Sequence, residues 1–330
     1  MNHCRLGLFT LALISTGAAA MGEEPMFKPG LSGTIAINAS VSSGTSQMNT
    51  SDDNAVTNDL NNNGKKESSA GVFPLGRLQY TFNDTAIFLG NSEDQIAEAQ
   101  FQAELGIMHL LTKDIVITGA LFSSIPGVDE TWRDPYLTGQ KREVTDLDTG
   151  GGRLAVDFLA PLPLTLRYAY AESEVDREDI GLSRTLTTAE RASLKRDSTF
   201  HRYTLETTLP LSNSLFVAPG VQYTTRDADG NAHSNDNLSF QLGVAYASGR
   251  HSLMTTLRAG ASSYDAVNPV FDKKQDSNNV GFFSVYSYEE PFRLSSSAFH
   301  IMAGYEEVDS DINFYDTESI FFSTGMSFNF

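Results

Sequence analysis

The sequence predicts an all-β fold: a transmembrane antiparallel up-and-down barrel of about fourteen strands. Three observations predict it. Apolar and polar residues alternate along many segments, the connections between these segments are mostly short and long in turn, and aromatic residues collect at the segment ends. Strict alternation turns one face of a strand toward lipid and the other toward a lumen.

The first residues predict export. One charge, Arg5, precedes an apolar run from Leu6 to Ile14, and a stretch of small residues ending at Ala20 offers a cleavage site. The run is far shorter than the ~20 residues of a spanning helix, which argues against a retained anchor. The only cysteine, Cys4, lies before the run, so lipoprotein processing is disfavoured and the mature chain has no thiol. We therefore expect a signal peptide at 1–20, a short periplasmic segment at 21–29 and the barrel at 30–330.

Alternation is clearest from Leu31 to Val41, where apolar or small residues take every second position and small, mostly polar ones lie between. The period returns from Arg153 to Ala160 and from Leu238 to Tyr246. Such runs approach the ~9–11 residues of a tilted spanning strand. They predict strands at 30–43, 72–82, 85–90, 97–111, 115–122, 150–160, 164–171, 199–209, 214–226, 237–247, 251–261, 279–288, 297–305 and 318–330. The segment 85–90 is the weakest, and twelve or sixteen strands remain alternatives.

The connections alternate in length. Short ones fall at 83–84, 112–114, 161–163, 210–213, 248–250 and 289–293. Longer polar ones fall at 44–71, 123–149, 172–198, 227–236, 262–278 and 306–317, and 91–96 is the exception. Short periplasmic turns and long extracellular loops are typical of outer-membrane barrels, and an even strand number places both termini in the periplasm.

Aromatic residues predict two membrane interfaces. They lie at the extracellular ends (Tyr170, Tyr203, Tyr223, Tyr305) and the periplasmic ends (Tyr80, Phe82, Tyr246, Tyr286, Tyr288, Phe330). A soluble β-sandwich also has alternating strands, but its polar face would collect Lys and Glu. Here that face carries mainly Ser, Thr, Gly, Ala and Gln, which favours the barrel.

The C-terminal strand carries a resemblance. Apolar residues alternate from Ile320 through Phe328 to a final Phe330. This ending resembles the C-terminal signal that the barrel-assembly machinery recognises in bacterial outer-membrane proteins. The whole mature chain resembles a porin-like β-barrel of an uncharacterised family of marine gamma-proteobacteria. It departs from the fatty-acid transporter barrels of the same strand number, because nine residues before the first strand cannot form their N-terminal plug.

The lumen is where we expect function to lie. Alternation directs five arginines and three acids inward: Arg77, Arg153, Arg167, Arg202, Arg258, Glu104, Asp157 and Glu206. One hypothesis is a channel for passive or weakly selective diffusion of small hydrophilic solutes, anionic or sugar-like, guided by the arginines. The same charges also suit a bracing role, since charges inside a barrel must be paired or solvated. The alternative function is a non-transporting surface, adhesion or structural protein with a plugged lumen.

Catalysis, cofactors and metals are not expected. No G-x-S-x-G motif occurs, and the loop stretch from His233 to Asn237 is interpreted as solvated. His300 is expected on the lumen wall as a hydrogen-bonded residue. Asp59, Asn61 and Asn63 match the opening of a calcium loop, but Ala70 stands where its glutamate belongs, so the match is weak.

The remaining expectations concern loops and partners. Thr187 to Lys195 is predicted to form a short capped helix, and the loop 123–149 with Trp132 is a candidate to enter the lumen. The net charge of −18 argues against nucleic-acid binding. Expected partners are outer-membrane lipids and lipopolysaccharide, the barrel-assembly machinery and small hydrophilic solutes. A monomer is slightly favoured.

Overall fold

The computed structural model describes residues 27–92, 102–125 and 127–330. These residues form a closed, antiparallel barrel of fourteen strands. The strands β1 to β14 are Gly30–Thr45, Lys66–Phe82, Thr85–Asn91, Gln102–Thr112, Ile115–Ser124, Val144–Phe158, Leu164–Val175, Ser198–Thr207, Leu215–Ala228, Asn235–Ser248, His251–Tyr264, Ser277–Glu289, Ser297–Ser310 and Thr317–Asn329. The predicted fold class and strand number are confirmed, including the weakest strand, β3.

The barrel closes between its first and last strands. β1 pairs antiparallel with β14, from Thr34 opposite Asn329 to Thr45 opposite Glu318. Every other barrel strand pairs with its neighbours in sequence. Closure leaves no unpaired strand edge, which a strand in hydrocarbon could not tolerate. Two short strands accompany the barrel: Leu209–Pro210 pairs with β9, and Glu130–Trp132 pairs with the start of β6.

The two faces of the wall differ as the alternation predicts. Outward residues such as Leu31, Val72 and Leu121 are more than 60% exposed, whereas inward residues such as Asn38 and Ser323 are at most 1% exposed. An apolar exposed face suits lipid rather than water. Among the described residues, no helix is long and apolar enough to cross a membrane.

Most strands extend beyond their predicted ends on the long-loop side. β2 begins at Lys66 rather than 72, β6 begins at Val144 rather than 150, and β13 ends at Ser310 rather than 305. The backbone ladder continues there although the side chains no longer alternate, because outside a membrane both faces meet polar surroundings. The loops are consequently shorter than predicted: 46–65, 125–143, 176–197, 229–234, 265–276 and 311–316.

Some predictions fall outside the described residues. These are the signal peptide at 1–20, most of the segment 21–29 and the first part of the strand predicted at 97–111. Phe27, near the end of that segment, is described and packs against Ala86, Phe88 and Met108 on the inner face of the wall. The end of the predicted periplasmic segment therefore reaches the inside of the barrel.

Aromatic rings fill space over glycines on the inner face. Phe88 of β3 covers Gly106 of β4, and Phe122 of β5 covers Gly151 of β6, where an added Cβ would lie 2.9 Å from the ring's Cζ. A glycine next to an aromatic ring lets the ring lie flat on the sheet and is a known device for curved sheets. This side of the barrel is therefore closely packed.

Candidate functional site: the barrel lumen and its cap

A row of polar side chains crosses six neighbouring strands on the inner face. The strand register aligns Glu206 of β8, Gln241 of β10, Arg258 of β11 and Glu306 of β13, and we call these four residues the polar row. Gln241 Nε2 donates to Glu206 Oε1, and Arg258 Nη2 donates to Gln241 Oε1 at 3.5 Å. Arg258 also interacts electrostatically with Glu306.

Glycine makes the polar row continuous. Gly220 lies between Glu206 and Gln241 in the register. A Cβ on Gly220 would lie 2.9 Å from Gln241 Cγ and 3.0 Å from Glu206 Cγ. The missing side chain lets residues two strands apart form a hydrogen bond. All four side chains of the row are only half-buried.

In contrast to the half-buried polar row, Glu104 and Arg153 form a fully buried ion pair. Arg153 Nε and Nη2 donate to the two carboxylate oxygens of Glu104 at 2.9 and 2.7 Å, and the side chains are 4% and 1% exposed. This bidentate geometry braces β4 against β6 across β5. The Arg77 guanidinium lies 3.9 Å from the centre of the Phe88 ring on the same side. These contacts match the bracing interpretation of the inward charges.

Threonines lie beside the remaining predicted lumen residues. Thr165 Oγ1 donates to Asp157 Oδ1 at 2.6 Å, and Arg202 Nε donates to Thr224 Oγ1 at 3.1 Å. Arg167 is half-buried on the inner face of β7, where it pairs in register with Thr204. All eight predicted residues therefore lie on the inner face, and Arg153 and Glu104 among them form a buried bidentate contact.

An apolar patch on the inner face was not predicted. It consists of side chains from β2, β12, β13 and β14, and we call it the lumen patch: Phe73, Leu75, Phe283, Val285, Met302 and Phe321. Phe73, Met302 and Phe321 are at most 5% exposed. A signal was present in the sequence, because Phe73 and Phe321 occupy the inward phase of alternating strands. Serine, threonine and glycine dominate that phase, so the sequence as a whole predicts a polar inner face.

His300 lies beside this patch as a hydrogen-bonded wall residue. Its Nδ1 contacts Ser287 Oγ at 2.8 Å and its Nε2 contacts Ser327 Oγ at 2.7 Å. Both ring nitrogens are occupied by hydroxyl groups. These two contacts fix the orientation of the ring on the wall.

The long loops meet over one end of the barrel in a single apolar core. The core and the hydrophobic residues packed against it come from six loops, and we call the assembly the cap: Met48, Leu60, Tyr136, Ile180, Leu186, Leu194, Ala232, Val270, Phe271, Ile312, Phe314 and Tyr315. Each of the six loops between 46 and 316 contributes at least one residue. A shared core means that the loops close together rather than separately.

A buried arginine ties the loops 46–65 and 125–143 together. Arg142 is 1% exposed and donates to Gln47 O, Gln47 Oε1 and Pro135 O, each at 3.1 Å, and also to Asn54 O. Its guanidinium lies 4.4 Å from the centre of the Trp132 ring. Burial lowers the pKa of Arg142 to about 10, with Asp134 opposing the shift, so the group is charged at neutral pH. The loop 125–143 thus folds into the cap.

Further polar contacts join the other loops. Tyr136 and Tyr315 share a 2.5 Å hydroxyl contact, and Asn268 Nδ2 donates to both hydroxyl groups at 3.1 Å. Burial raises the pKa of both tyrosines, which keeps them protonated. Arg196 pairs with Glu178 at 2.7 Å within the loop 176–197. These bonds give the cap specific geometry as well as apolar area.

The stretch from His233 is a correction to the sequence prediction. His233 and Ser234 are 5% and 4% exposed, so the start of this stretch is buried in the cap rather than solvated, whereas Asp236 is exposed as expected. The apolar residues around it come from distant loops, which local sequence does not reveal. Burial, followed by the nearby Arg226 and Arg196, lowers the pKa of His233 well below its usual value. Its Nε2 has no hydrogen-bond partner in the described part of the chain.

The calcium-like segment forms hydrogen bonds of its own. Asp59 Oδ1 accepts from the Asn61 backbone N–H at 2.8 Å, and this bond and one from Asn62 lower the Asp59 pKa. Asn61 Oδ1 accepts from Asn313 Nδ2, and Asn63 Nδ2 donates to Thr45 Oγ1, both at 3.2 Å. Across 27–92, 102–125 and 127–330, no three His, Cys, Asp or Glu residues are grouped as metal ligands.

The predicted helix in the loop 176–197 is present as α1, Thr188–Ala192. Thr187 caps it and exchanges hydrogen bonds with Glu190 in a capping box, which lowers the Glu190 pKa. The predicted interface aromatics lie on the outer face; Tyr80, Tyr203 and Tyr246 are 47–56% exposed. Phe328 and Phe330, the predicted assembly signal, are also outward and about half exposed.

A family model described as "Protein of unknown function (DUF2860)" matches residues 30–329, the whole barrel. The chain belongs to the DUF2860 family. No protein with a curated description matches the sequence of this DUF2860 member. Among solved structures, it is similar to a "TodX deltaS2S3 mutant monoaromatic hydrocarbon channel", with a TM-score of 0.50 and 10% identity over 96% of this chain and 93% of that one.

Two further structures have lower scores. A Pseudomonas aeruginosa FadL homologue has a TM-score of 0.48 and 10% identity, with 96% and 93% of the two chains covered. The outer-membrane expressed OmpT of Vibrio cholerae has a TM-score of 0.43 and 8% identity, with 90% and 98% covered. At these identities the likeness concerns the fold alone. This DUF2860 protein has the fold of bacterial outer-membrane β-barrels.

Proposed function

We propose that the protein is a channel of the bacterial outer membrane for small hydrophilic solutes, with its extracellular mouth closed by the cap in the present state. The polar row carries the proposal. Charged groups inside a barrel need water or polar partners, and the half-buried Glu206, Arg258 and Glu306 keep part of their surface open to the lumen, where water can solvate it. A water-filled lumen supports passage of polar solutes.

The cap refines the expectation of free diffusion. Six loops with a shared apolar core would block a permanently open pore, so solutes pass only when the cap moves. Weak selectivity for anionic or sugar-like solutes is supported by Arg167 and Arg202, which lie on neighbouring strands of the inner wall. Acids in the polar row oppose a strong preference for anions.

Planar bilayers test this proposal. We expect purified full-length protein to give conductance steps, and Arg167→Ala or Arg202→Ala to reduce the preference for anions over cations. Arg177→Ala is the matched control, because its side chain is 70% exposed in the loop 176–197 and outside the lumen. The channel proposal fails if no conductance occurs in either orientation, even when the cap is weakened by Arg142→Met.

A second candidate is a surface or structural protein that transports nothing, and the closed cap favours it. The two functions differ in what a weakened cap does. A channel gains conductance when the cap loosens, whereas a plugged surface protein stays silent because its loops serve an external partner. The same bilayer measurement therefore separates them.

Several finer expectations belong to the proposal. We propose that the outward tyrosines contact outer-membrane lipids and lipopolysaccharide, and that Phe328 and Phe330 are read by the barrel-assembly machinery during insertion. We further propose that the protein has no catalytic activity, that its signal peptide is cleaved on export and that it comes from the marine gamma-proteobacterial group that it resembles. Replacing Phe330 with Ala and measuring barrel yield in outer-membrane fractions tests the assembly signal.

A further inference from the structure

One amide beside the lumen patch has no hydrogen-bond partner among the described residues. Asn38 lies on the inner face of β1 and is 1% exposed, and neither its Oδ1 nor its Nδ2 has a hydrogen-bond partner among the described residues. Its side chain lies over Gly325 of β14, with Cγ 2.8 Å from the place that a Cβ on Gly325 would take. Buried polar groups in native structures are almost always paired, so this amide calls for an explanation.

The surroundings of Asn38 are aromatic and apolar. Phe73 is its direct neighbour in the register of β1 and β2. The Phe73 ring lies 6.3 Å from the Phe321 ring, centre to centre, on the far side of β1. The half-buried Leu75, Phe283 and Val285 continue the same surface around the wall.

The polar groups near Asn38 form hydrogen bonds with other residues. Ser323 Oγ donates to Ala39 O at 3.0 Å, and Ser40 Oγ donates to Gly71 O at 3.5 Å. His300, across Gly325 from Asn38, contacts one serine with each ring nitrogen. The protein around the patch therefore does not satisfy the amide, although the serines and the histidine beside it are all satisfied.

We propose that the lumen patch binds a small neutral molecule with one apolar ring and an amide-like head group, which pairs with Asn38 inside the channel. This inference rests on the proposed channel and goes beyond it, because a neutral molecule with an apolar ring differs from the anionic or sugar-like solutes proposed above. An aromatic and aliphatic pocket with one well-placed polar group is the usual composition of a small-molecule site.

The chemistry of the amide selects the head group. Asn38 offers one acceptor and two N–H donors, so its best complement presents a donor and an acceptor side by side. A primary amide does this, whereas a carboxylate can only accept, leaves the Asn38 oxygen without a donor and is repelled by the partial negative charge of that oxygen. A charged head would also lose its hydration beside Phe73 and Phe321. The ring of the ligand packs on the half-buried side chains of the patch, Leu75, Phe283 and Val285.

Benzamide and benzoate are matched probes, since they differ in the head group and share the ring. We expect benzamide to bind full-length protein in detergent micelles, measured by saturation-transfer NMR against protein-free micelles. Benzoate is expected to bind at least about tenfold more weakly. Asn38→Leu keeps the volume and removes the head-group contact, and it is expected to weaken benzamide binding by about two- to tenfold, the worth of one hydrogen bond.

Asn279→Leu is the control, because Asn279 is a lumen amide on β12 outside the patch. It is expected to leave benzamide binding unchanged. Should Asn38→Leu fail to fold, Asn38→Asp keeps the shape, replaces the donors with a charge and is expected to abolish the preference for benzamide. The proposal is overturned if benzamide and benzoate bind equally, or if the Asn38 variants bind benzamide as wild type does. It is also overturned if benzamide does not bind at all, the result expected of a site that holds only water. Benzamide binding without conductance would overturn the channel proposal but support the binding site. Conductance without benzamide binding would support the channel but overturn the binding site.

Discussion

The cap makes a sharp prediction about Arg142. Replacing it with methionine keeps most of the side-chain volume but removes four hydrogen bonds to Gln47, Asn54 and Pro135 and the contact with the Trp132 ring. Hydrogen bonds from a charged group contribute about 1.5–3 kcal/mol each, and a desolvated cation–π contact about 2 kcal/mol. Much of this sum offsets the cost of burying the charge.

The net loss is expected to resemble that of breaking other buried ionic contacts, about 3 kcal/mol. The methionine cannot satisfy the carbonyl oxygens that Arg142 leaves behind, and this supplies most of the loss. A loss of that size raises the ratio of open to closed cap by about a hundredfold. The barrel itself lies outside these contacts and is expected to keep its stability.

Tryptophan fluorescence measures the effect directly, because Trp132 is the only tryptophan in the sequence and is 1% exposed. Arg142→Met should shift its emission to the red, increase quenching by acrylamide and speed proteolysis of the loops, which follows the open population. Lys141→Met is the matched neighbour, because its ion pair with Asp52 is on the surface and is worth little. Equal quenching in wild type and Arg142→Met, or equal effects of the two substitutions, would refute the argument.

Three further predictions concern pH, packing and the buried ion pair. Burial lowers the pKa of His233 below the 6.5 of an exposed imidazole, so the open cap binds a proton that the closed cap does not. The stability of the closed cap therefore falls as the pH drops below about 6.5. Acrylamide quenching of Trp132 should rise toward about pH 5 in wild type and stay constant in His233→Asn. Gly106→Ala is expected to cost about 1–3 kcal/mol in urea unfolding, because its Cβ would clash with an aromatic ring and with Ala120, whereas Gly119→Ala meets only ordinary contact at 3.5 Å and should cost little. Glu104→Gln is expected to cost about 3–5 kcal/mol by leaving Arg153 buried and unbalanced, and adding Arg153→Met should recover part of it.

Each of these three has its own contradicting result. A pH response that persists in His233→Asn would assign it to other groups. Equal destabilisation by the two glycine substitutions would mean that ring packing over the sheet is not the cause. Additive costs in the Glu104 and Arg153 variants would show that the two side chains do not interact energetically, since contacting partners give non-additive costs.

Alternation was sufficient to predict the barrel because each strand carries its own signal. Leu31 and Val41 face outward and Asn38 inward by counting residues alone, and the register then follows from closure. The strand ends were less predictable. At Lys66 and Ser310 the backbone ladder continues into polar surroundings, where side chains no longer report which face is inside.

The cap could not be predicted in the same way. Tyr136, Ala232 and Phe314 are isolated apolar residues in polar loops and are far apart in sequence, so no local period marks them as one core. His233 illustrates the consequence, since its burial depends on loops that begin dozens of residues away. The lumen patch was not predicted for another reason. Its two phenylalanines are few among the small and polar residues of the inner face, so the composition of that face is polar. They form an apolar surface only because β1, β2 and β14 are adjacent in the barrel.

The cap and the lumen patch together constrain how a solute could pass. All six described long loops share one apolar core, so moving one loop exposes apolar surface on the others and favours concerted opening. A solute held at Asn38 would lie below the closed cap. Asn38 and the lumen patch lie on β1, β2 and β12 to β14, whereas Arg167 and Arg202 lie on β7 and β8, on the opposite side of the fourteen-strand ring. The two faces of the lumen therefore offer different chemistry to one molecule: an apolar wall for its ring and a charged, hydrated wall for its polar groups. If the channel proposal holds, a solute retained on the first wall leaves along the second only after the cap opens, and we therefore expect the loops to control transport.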